Sequence, residues 1–335
     1  MRRRDFIRTM AVGTAALPLC IRAAQPTRVR LIGVLFADKA DSPFSKSFIA
    51  RFPKFLYDGQ DSGGGAKTQI QYRFSGGDTD ATRSSARELI EMRPDVIVAV
   101  TNTAMAALHY EATTIPVVFI NVSEPVGVGY VDSLARPGHN ATGLSPFEPS
   151  LGSKWLSFLK QFAPSIQSAG VIFNPEPGNN SGSFLRAIEI AAPSLDIKTV
   201  VTPHTSSTDI DRTIIELGNA SGKSGLVFLP DALTYARRNQ IIPLIAQQHI
   251  PAIYPWRDFV LAGGLMSYGP HEAYGDEMFQ QAAAYVDRIL NGEKPAEMPV
   301  QAPTKLILSI NTRTAKALGL QLPSQLMALA DEIIE

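Results

Sequence analysis

One arrangement of strands and helices occurs twice along this chain, on either side of a central stretch at residues 115–147. Gly33-Val34-Leu35-Phe36 opens the first half, and Pro116 follows Gly33 by 83 residues. Gly170-Val171-Ile172-Phe173 opens the second, and Pro251 follows Gly170 by 81. Before each Ile-Pro step comes the same unit of apolar strand, polar turn and amphipathic helix. In the first half these are residues 96–100, Thr101-Asn102-Thr103 and 104–111; in the second they are 226–229, Pro230-Asp231 and 234–249. Strands alternating with helices build parallel sheets covered on both faces. Two matched runs predict two similar α/β lobes, each Rossmann-like.

The first 24 residues stand apart. Arg2-Arg3-Arg4-Asp5-Phe6-Ile7-Arg8 precedes a short apolar run at 10–21. That run falls short of the roughly 20 apolar residues that span a bilayer, so it reads as an export signal, and Arg3-Arg4 gives it a twin-arginine character. Of 31 basic and 31 acidic residues, five arginines and one aspartate stand in this segment, which leaves 26 and 30 for the rest. A slightly acidic body with no basic stripe argues against a nucleic-acid partner. The one cysteine, Cys20, also lies here, so the body has no disulfide, thiolate metal site or cysteine nucleophile.

Further along, strands are expected at Arg30–Phe36, 69–74, 95–100, 116–120, 170–174, 197–201 and 305–310. Asp78 or Thr79 suits the cap of a helix that ends at Arg93-Pro94-Asp95. Residues 61–66 and 221–224 read as surface turns, because neither has the strand–glycine–helix order of a phosphate loop. Residues 274–290 form an amphipathic helix with Met278, Ala282, Tyr285 and Ile289 on one face. Two short helices, 312–318 and 324–334, are expected to close the chain. A helix and a strand appended after two complete lobes imply three crossings between them, placed at 142–147, 265–269 and 299–305. The resulting division is 1–24 as signal, 28–144 with 267–300 as one lobe, and 145–266 with 301–335 as the other.

In open parallel sheets, ligands bind beyond the carboxyl ends of the strands. Those ends supply the candidate ligand-binding residues Ser42, Thr101, Asn102, Thr103, Asn121, Ser123, Glu124, Asn174, Asn180, Asp231, Trp256 and Tyr268. Thr101-Asn102-Thr103 opens a helix with hydroxyl donors and no carboxylate, which suits an anion at the helix N-terminus; the same residue types also cap helices. Asp231 suits a ligand ammonium, or a cap. Trp256 and Tyr268 offer apolar walls, or core packing. None of the five histidines pairs at metal-ligand spacing and no G-x-S-x-G elbow occurs, so no metal, cofactor or catalytic residue is assigned.

Several separated segments resemble one family in order. They are Glu124-Pro125-Val126-Gly127, Ser133-Leu134-Ala135-Arg136-Pro137-Gly138, Gly263-Gly264-Leu265-Met266-Ser267-Tyr268-Gly269, the run from Ala283 to Gly292, Pro303-Thr304-Lys305, and Ala315-Lys316-Ala317-Leu318-Gly319-Leu320. The family is the ABC transporter substrate-binding proteins, whose members include tryptophan/tyrosine-type binders. The resemblance covers about residue 29 to the C-terminus and implies a type I periplasmic binding protein, with two lobes, three hinge strands and a ligand between them. Glu124 departs from the family's usual aspartate, and His139 from its usual glycine.

Together these readings give an exported, periplasmic receptor, not an enzyme. It is expected to be a monomer that binds a small polar molecule, an amino acid or related carboxylate, aromatic or not, and delivers it to an ABC permease. A secreted α/β enzyme and a subunit presenting its ligand to a membrane sensor are the alternatives.

Overall fold

The computed structural model describes residues 29–58, 68–175, 181–219, 223–270, 276–302 and 305–335. The expected export signal, the 61–66 turn, half of the 221–224 turn and Asn180 lie outside these. Among the described residues no helix is long and apolar enough to cross a membrane.

The first half runs β1 (Arg30–Phe36), α1 (Pro43–Asp58), β2 (Thr68–Phe74), α2 (Thr79–Glu91), β3 (Val96–Val100), α3 (Thr101–Tyr110), β4 (Val117–Ile120) and β5 (Ala141–Leu144). Its five strands pair in parallel in the order β2-β1-β3-β4-β5. Alternate side chains of β1 serve opposite faces. Ile32, Val34 and Phe36 pack with Phe44 and Phe48 of α1, while Leu35 packs with Leu89 of α2 and Leu108 of α3. Burial on both faces is why these strands read as continuous apolar runs instead of alternating ones.

After α4 (Leu151–Phe162), the second half runs β6 (Ser168–Phe173), α5 (Ser181–Ala191), β7 (Lys198–Pro203), α6 (Ser207–Asn219), β8 (Ser224–Phe228), α7 (Ala232–Ala236), α8 (Arg238–Gln247), β9 (Ala252–Tyr254), α9 (Arg257–Leu261) and β10 (Met266–Pro270). The helix expected at 234–249 is thus two helices, broken at Arg237. Then come α10 (Asp276–Leu290), β11 (Leu306–Asn311), α11 (Thr312–Ala317), α12 (Ser324–Leu329) and β12 (Glu332–Ile334). The second sheet has the order β12-β11-β10-β9-β8-β6-β7, antiparallel only between β10 and β11. These are the two mostly parallel sheets of the type I periplasmic binding fold.

Three passages join the lobes. The first leaves β5 at Leu144 and enters α4. The second leaves β10 of the second sheet and enters α10, which packs on α1 in the first lobe with Phe279 against Phe44 and Phe48. The third follows residues 298–302 and returns to β11. The first and third run side by side, because Ser145 N–H donates to Gln301 O at 2.8 Å and Gln301 N–H to Gly143 O at 2.8 Å. Gly143, with φ +154°, has no room for a side chain: a Cβ would lie 2.0 Å from Phe119 O in β4.

Two expectations change here. Residues 265–269 are not a crossing: β10 is paired on both sides within the second sheet, so 267–270 stand in the second lobe and the passage follows Pro270. The C-terminal segment is also not a helix to residue 334. Asp331 accepts from Leu308 N–H at 3.0 Å, Glu332 takes a bidentate pair from Arg257 and a bond from Ser309 Oγ, and residues 332–334 form a strand beside β11. Side-chain partners on β11 and α9 draw the chain into the sheet, which periodicity alone does not reveal.

Candidate functional site

The topology decides where a ligand can sit. The chain leaves the first sheet at the carboxyl end of β5 and leaves the second at the carboxyl end of β10. It enters α4 and α10 at helix starts that lie on those same edges, since each helix runs back antiparallel to its strands. The passages therefore join like edges, and in open parallel sheets those carboxyl edges are where ligands bind.

On the first lobe's edge, β3 passes directly into α3 without the expected three-residue turn. One residue makes the switch: Thr101 has φ +78°, a left-handed state that a β-branched side chain strongly disfavours. Among the described residues no side-chain cap closes the N-terminus of α3, whose cap position is Val100. On the next tip, Asn121 and Glu124 also hold positive φ, at 56° and 54°. Strain of this kind persists only where surrounding structure fixes it. Asn102 supplies one fixing contact: its Oδ1 accepts Ser123 N–H at 2.9 Å, with both residues buried. Asn102 therefore joins the two tips, while Thr101, Thr103, Asn121 and Glu124 remain half-buried beside it. Glu124 folds over Gly127, where a Cβ would lie 2.7 Å from its Oε1, so the glycine makes room for the longer acid.

On the second lobe's edge, Asp231 follows β8 and caps α7, its Oδ2 accepting Thr234 N–H at 2.8 Å. Its side chain is 3 % exposed and lies 3.5 Å from His204 Nε2. His204, absent from the sequence-based candidates, is the first residue beyond β7 and donates its backbone N–H to Phe173 O of β6. The expected strand stopped at Val201, two residues short of β7's end, which left His204 outside the set of strand tips. Burial pushes the imidazole's pKa down, opposed by the negative charges of Asp231 and then Asp209.

The other candidates have local roles. Ser42 caps α1 through a bond from Ser45 N–H at 3.1 Å. Asn174 stands at the end of β6, where its carbonyl accepts Ser181 Oγ–H at 2.8 Å. Trp256 is 5 % exposed, edge-on to Phe147 and Tyr235 and stacked on Phe259, so packing accounts for most of its ring. Tyr268 lies within β10 with its ring edge-on to Phe158 of α4. That places it on the face of the sheet, not at a tip, because the crossing expected there comes later.

A cavity of about 510 Å³ opens at the opposite, amino edge of the first sheet, lined by Met105, Leu108, His109, Tyr130, His139 and others. His139 pairs with Asp132 at 3.0 Å there. Among the described residues no group of three His, Cys, Asp or Glu is placed to hold a metal ion.

Comparison with known proteins agrees with this fold. Residues 58–334 match the family described as ABC transporter substrate binding protein. The chain is 25 % identical over 259 residues to a tyrosine-binding protein of Clostridioides difficile, covering 77 % of this chain and 72 % of the relative. It superposes with a TM-score of 0.63 and 26 % identity on the ligand-free, open structure of a Clostridium difficile substrate binding protein with adhesive properties, covering 91 % of this chain and 99 % of that one. It shares the fold of a Streptococcus pneumonia ABC domain solved with L-Trp, with a TM-score of 0.76, 19 % identity, and coverage of 92 % and 100 %.

Proposed function

Because the chain belongs to the ABC transporter substrate-binding protein family, whose members bind solutes outside the cytoplasm, we propose that it is the exported receptor of an importer for an aromatic amino acid. It closes two lobes on that ligand and hands it to a membrane permease, acting as a monomer after removal of its twin-arginine signal. What supports the reading is that the carboxyl edges of the two sheets carry unlike polar groups. The uncapped N-terminus of α3 suits a carboxylate. The buried carboxylate of Asp231 on the other edge suits an ammonium. The tyrosine-binding relative and the L-Trp complex name the first ligands to test.

A micromolar dissociation constant needs about −8 kcal/mol. A helix terminus contributes about 0.3–2 kcal/mol, so a carboxylate contact alone does not suffice. Burying an aromatic side chain adds about 1.5–3 kcal/mol, which favours an aromatic amino acid over a small polar one. Closure follows from tighter binding to the closed arrangement than to the open one.

The test is a thermal-shift and calorimetric screen of the mature protein against L-tyrosine, L-tryptophan, L-phenylalanine, glucose and acetate. Ligand at a hundred times its dissociation constant stabilises the fold by about 2.7 kcal/mol, and an aromatic amino acid is expected to give that shift. A shift with glucose alone, or with none of the amino acids, would overturn the reading.

A further inference from the structure

We propose that His204 reads a hydrogen-bond donor of the ligand, an ammonium or a hydroxyl, through Nδ1, with Asp231 holding the ring in the orientation that this requires. The inference rests on the amino-acid reading above and assigns a role to a residue outside the expected set of ligand contacts.

Three observations support it. First, His204 is 2 % exposed, and neither ring nitrogen has a hydrogen-bond partner among the described residues. Buried polar atoms are almost always bonded; Nε2 at least faces Asp231 at 3.5 Å, so it is the unmet Nδ1 that points to a partner arriving from outside the protein. Second, the ring stands at the carboxyl edge of the second sheet, where open parallel sheets take ligands. His204 follows β7 and Asp231 follows β8, and these strands flank β6 in the sheet, so the two side chains meet beside its carboxyl end. Third, the chemistry of the pair fixes the direction of the missing bond. A carboxylate only accepts hydrogen bonds, so the nitrogen turned to Asp231, Nε2 at 3.5 Å, carries the proton. Burial keeps the ring neutral against the pull of Asp231 and Asp209. A neutral ring protonated at Nε2 has a lone pair at Nδ1, and that lone pair takes a donor and repels a carboxylate.

This assignment gives the two lobes different tasks. The N-terminus of α3 takes the ligand's negative end, and the second lobe takes its donor end through Nδ1 of His204 and the carboxylate of Asp231. A ligand lying the other way round would set its carboxylate against Asp231.

The experiment compares the wild type with His204→Phe and His204→Asn. In the unliganded protein, nitrogen NMR is expected to show His204 as the Nε2–H tautomer; the Nδ1–H tautomer would overturn the proposal whether or not a ligand is known. Unliganded His204→Phe is expected to melt near the wild-type temperature, because it removes an unmet Nδ1 along with only a long 3.5 Å contact to Asp231. A clearly lower melting temperature would show that the ring is already bonded within the fold and would overturn the proposal. By calorimetry with L-tyrosine and L-tryptophan, His204→Phe is expected to bind about tenfold more weakly or worse, as loss of a bond to a charged donor does. His204→Asn, which keeps a small acceptor, is expected to recover part of the loss. Wild-type affinity in His204→Phe would overturn the role of His204 and leave the amino-acid reading standing. Failure of the wild type to bind either amino acid would overturn that reading instead, with the tautomer and melting results still deciding whether His204 is held for an outside donor.

Discussion

Replacing Asn102 separates the two jobs assigned to the tip of α3. Its Oδ1 accepts Ser123 N–H at 2.9 Å, with Asn102 and Ser123 6 % and 5 % exposed. Asn102→Ala removes that acceptor, and losing a buried hydrogen bond costs about 1–3 kcal/mol. Left-handed backbone at non-glycine residues costs about 1–3 kcal/mol each. Asn121 and Glu124 flank Ser123, so the tie that opposes their relaxation is lost along with the bond. Both stability and affinity are therefore expected to fall. Asn102→Asp keeps an acceptor in the same place and adds a negative charge at a helix N-terminus, where the dipole favours it by about 0.3–1 kcal/mol. Its melting temperature is expected to stay near that of the wild type. The same charge stands beside the place proposed for the ligand's carboxylate. Two like charges roughly 5 Å apart repel by about 3 kcal/mol at an effective dielectric of 20, a weakening of more than a hundredfold. Melting curves and calorimetry with L-tyrosine on the three proteins read both quantities. Wild-type affinity in Asn102→Asp would refute the anion site at α3, and wild-type stability in Asn102→Ala would refute the role given to the Ser123 bond.

Gly143→Ala is expected to disrupt the β4–β5 pairing and lower the soluble yield sharply, because the clash with Phe119 O at 2.0 Å is with backbone and no rotamer relieves it; a melting temperature within a few degrees of the wild type would contradict this. Trp155→Phe removes the bond from Nε1–H to Tyr268 O at 2.7 Å, which ties α4 to β10, and is expected to cost about 1 kcal/mol in denaturant unfolding. Acid should weaken the fold through His204. Its folded pKa lies below the ordinary histidine value, so the unfolded chain binds more protons as pH falls through about 6.5. Stability present above that pH is lost below it, and His204→Phe is expected to flatten the slope between about pH 7 and pH 5; equal slopes would contradict the reading.

The repeated strand–turn–helix unit made the sheets legible, and β1 has the bounds that its apolar run implies. β5 escaped notice because Ala141–Leu144 is short and contains Gly143; it is a strand only because β4 pairs with it. β10 was placed with the wrong lobe, since a buried strand's sequence does not say which sheet receives it. The terminal strand was masked by an amphipathic pattern that the Asp331 and Glu332 partners override. At the tips, composition pointed to Asn102 and Asp231 but could not separate holding the backbone from facing the cleft. His204 was hidden because one strand was drawn two residues short.

The interleaving of the chain between its lobes has a consequence for any piece of it. One face of the first sheet is covered by α1 and α10 together, and the α10 half of that cover, Phe279 against Phe44 and Phe48 of α1, arrives only after most of the second sheet has been made. A fragment cut near residue 144 would keep α1 but expose the apolar surface that α10 covers, and one starting there would hold α10 with nothing beneath it. Limited proteolysis at the joints should therefore give insoluble halves, and a nascent chain stalled before residue 276 would need a chaperone to keep it from clumping.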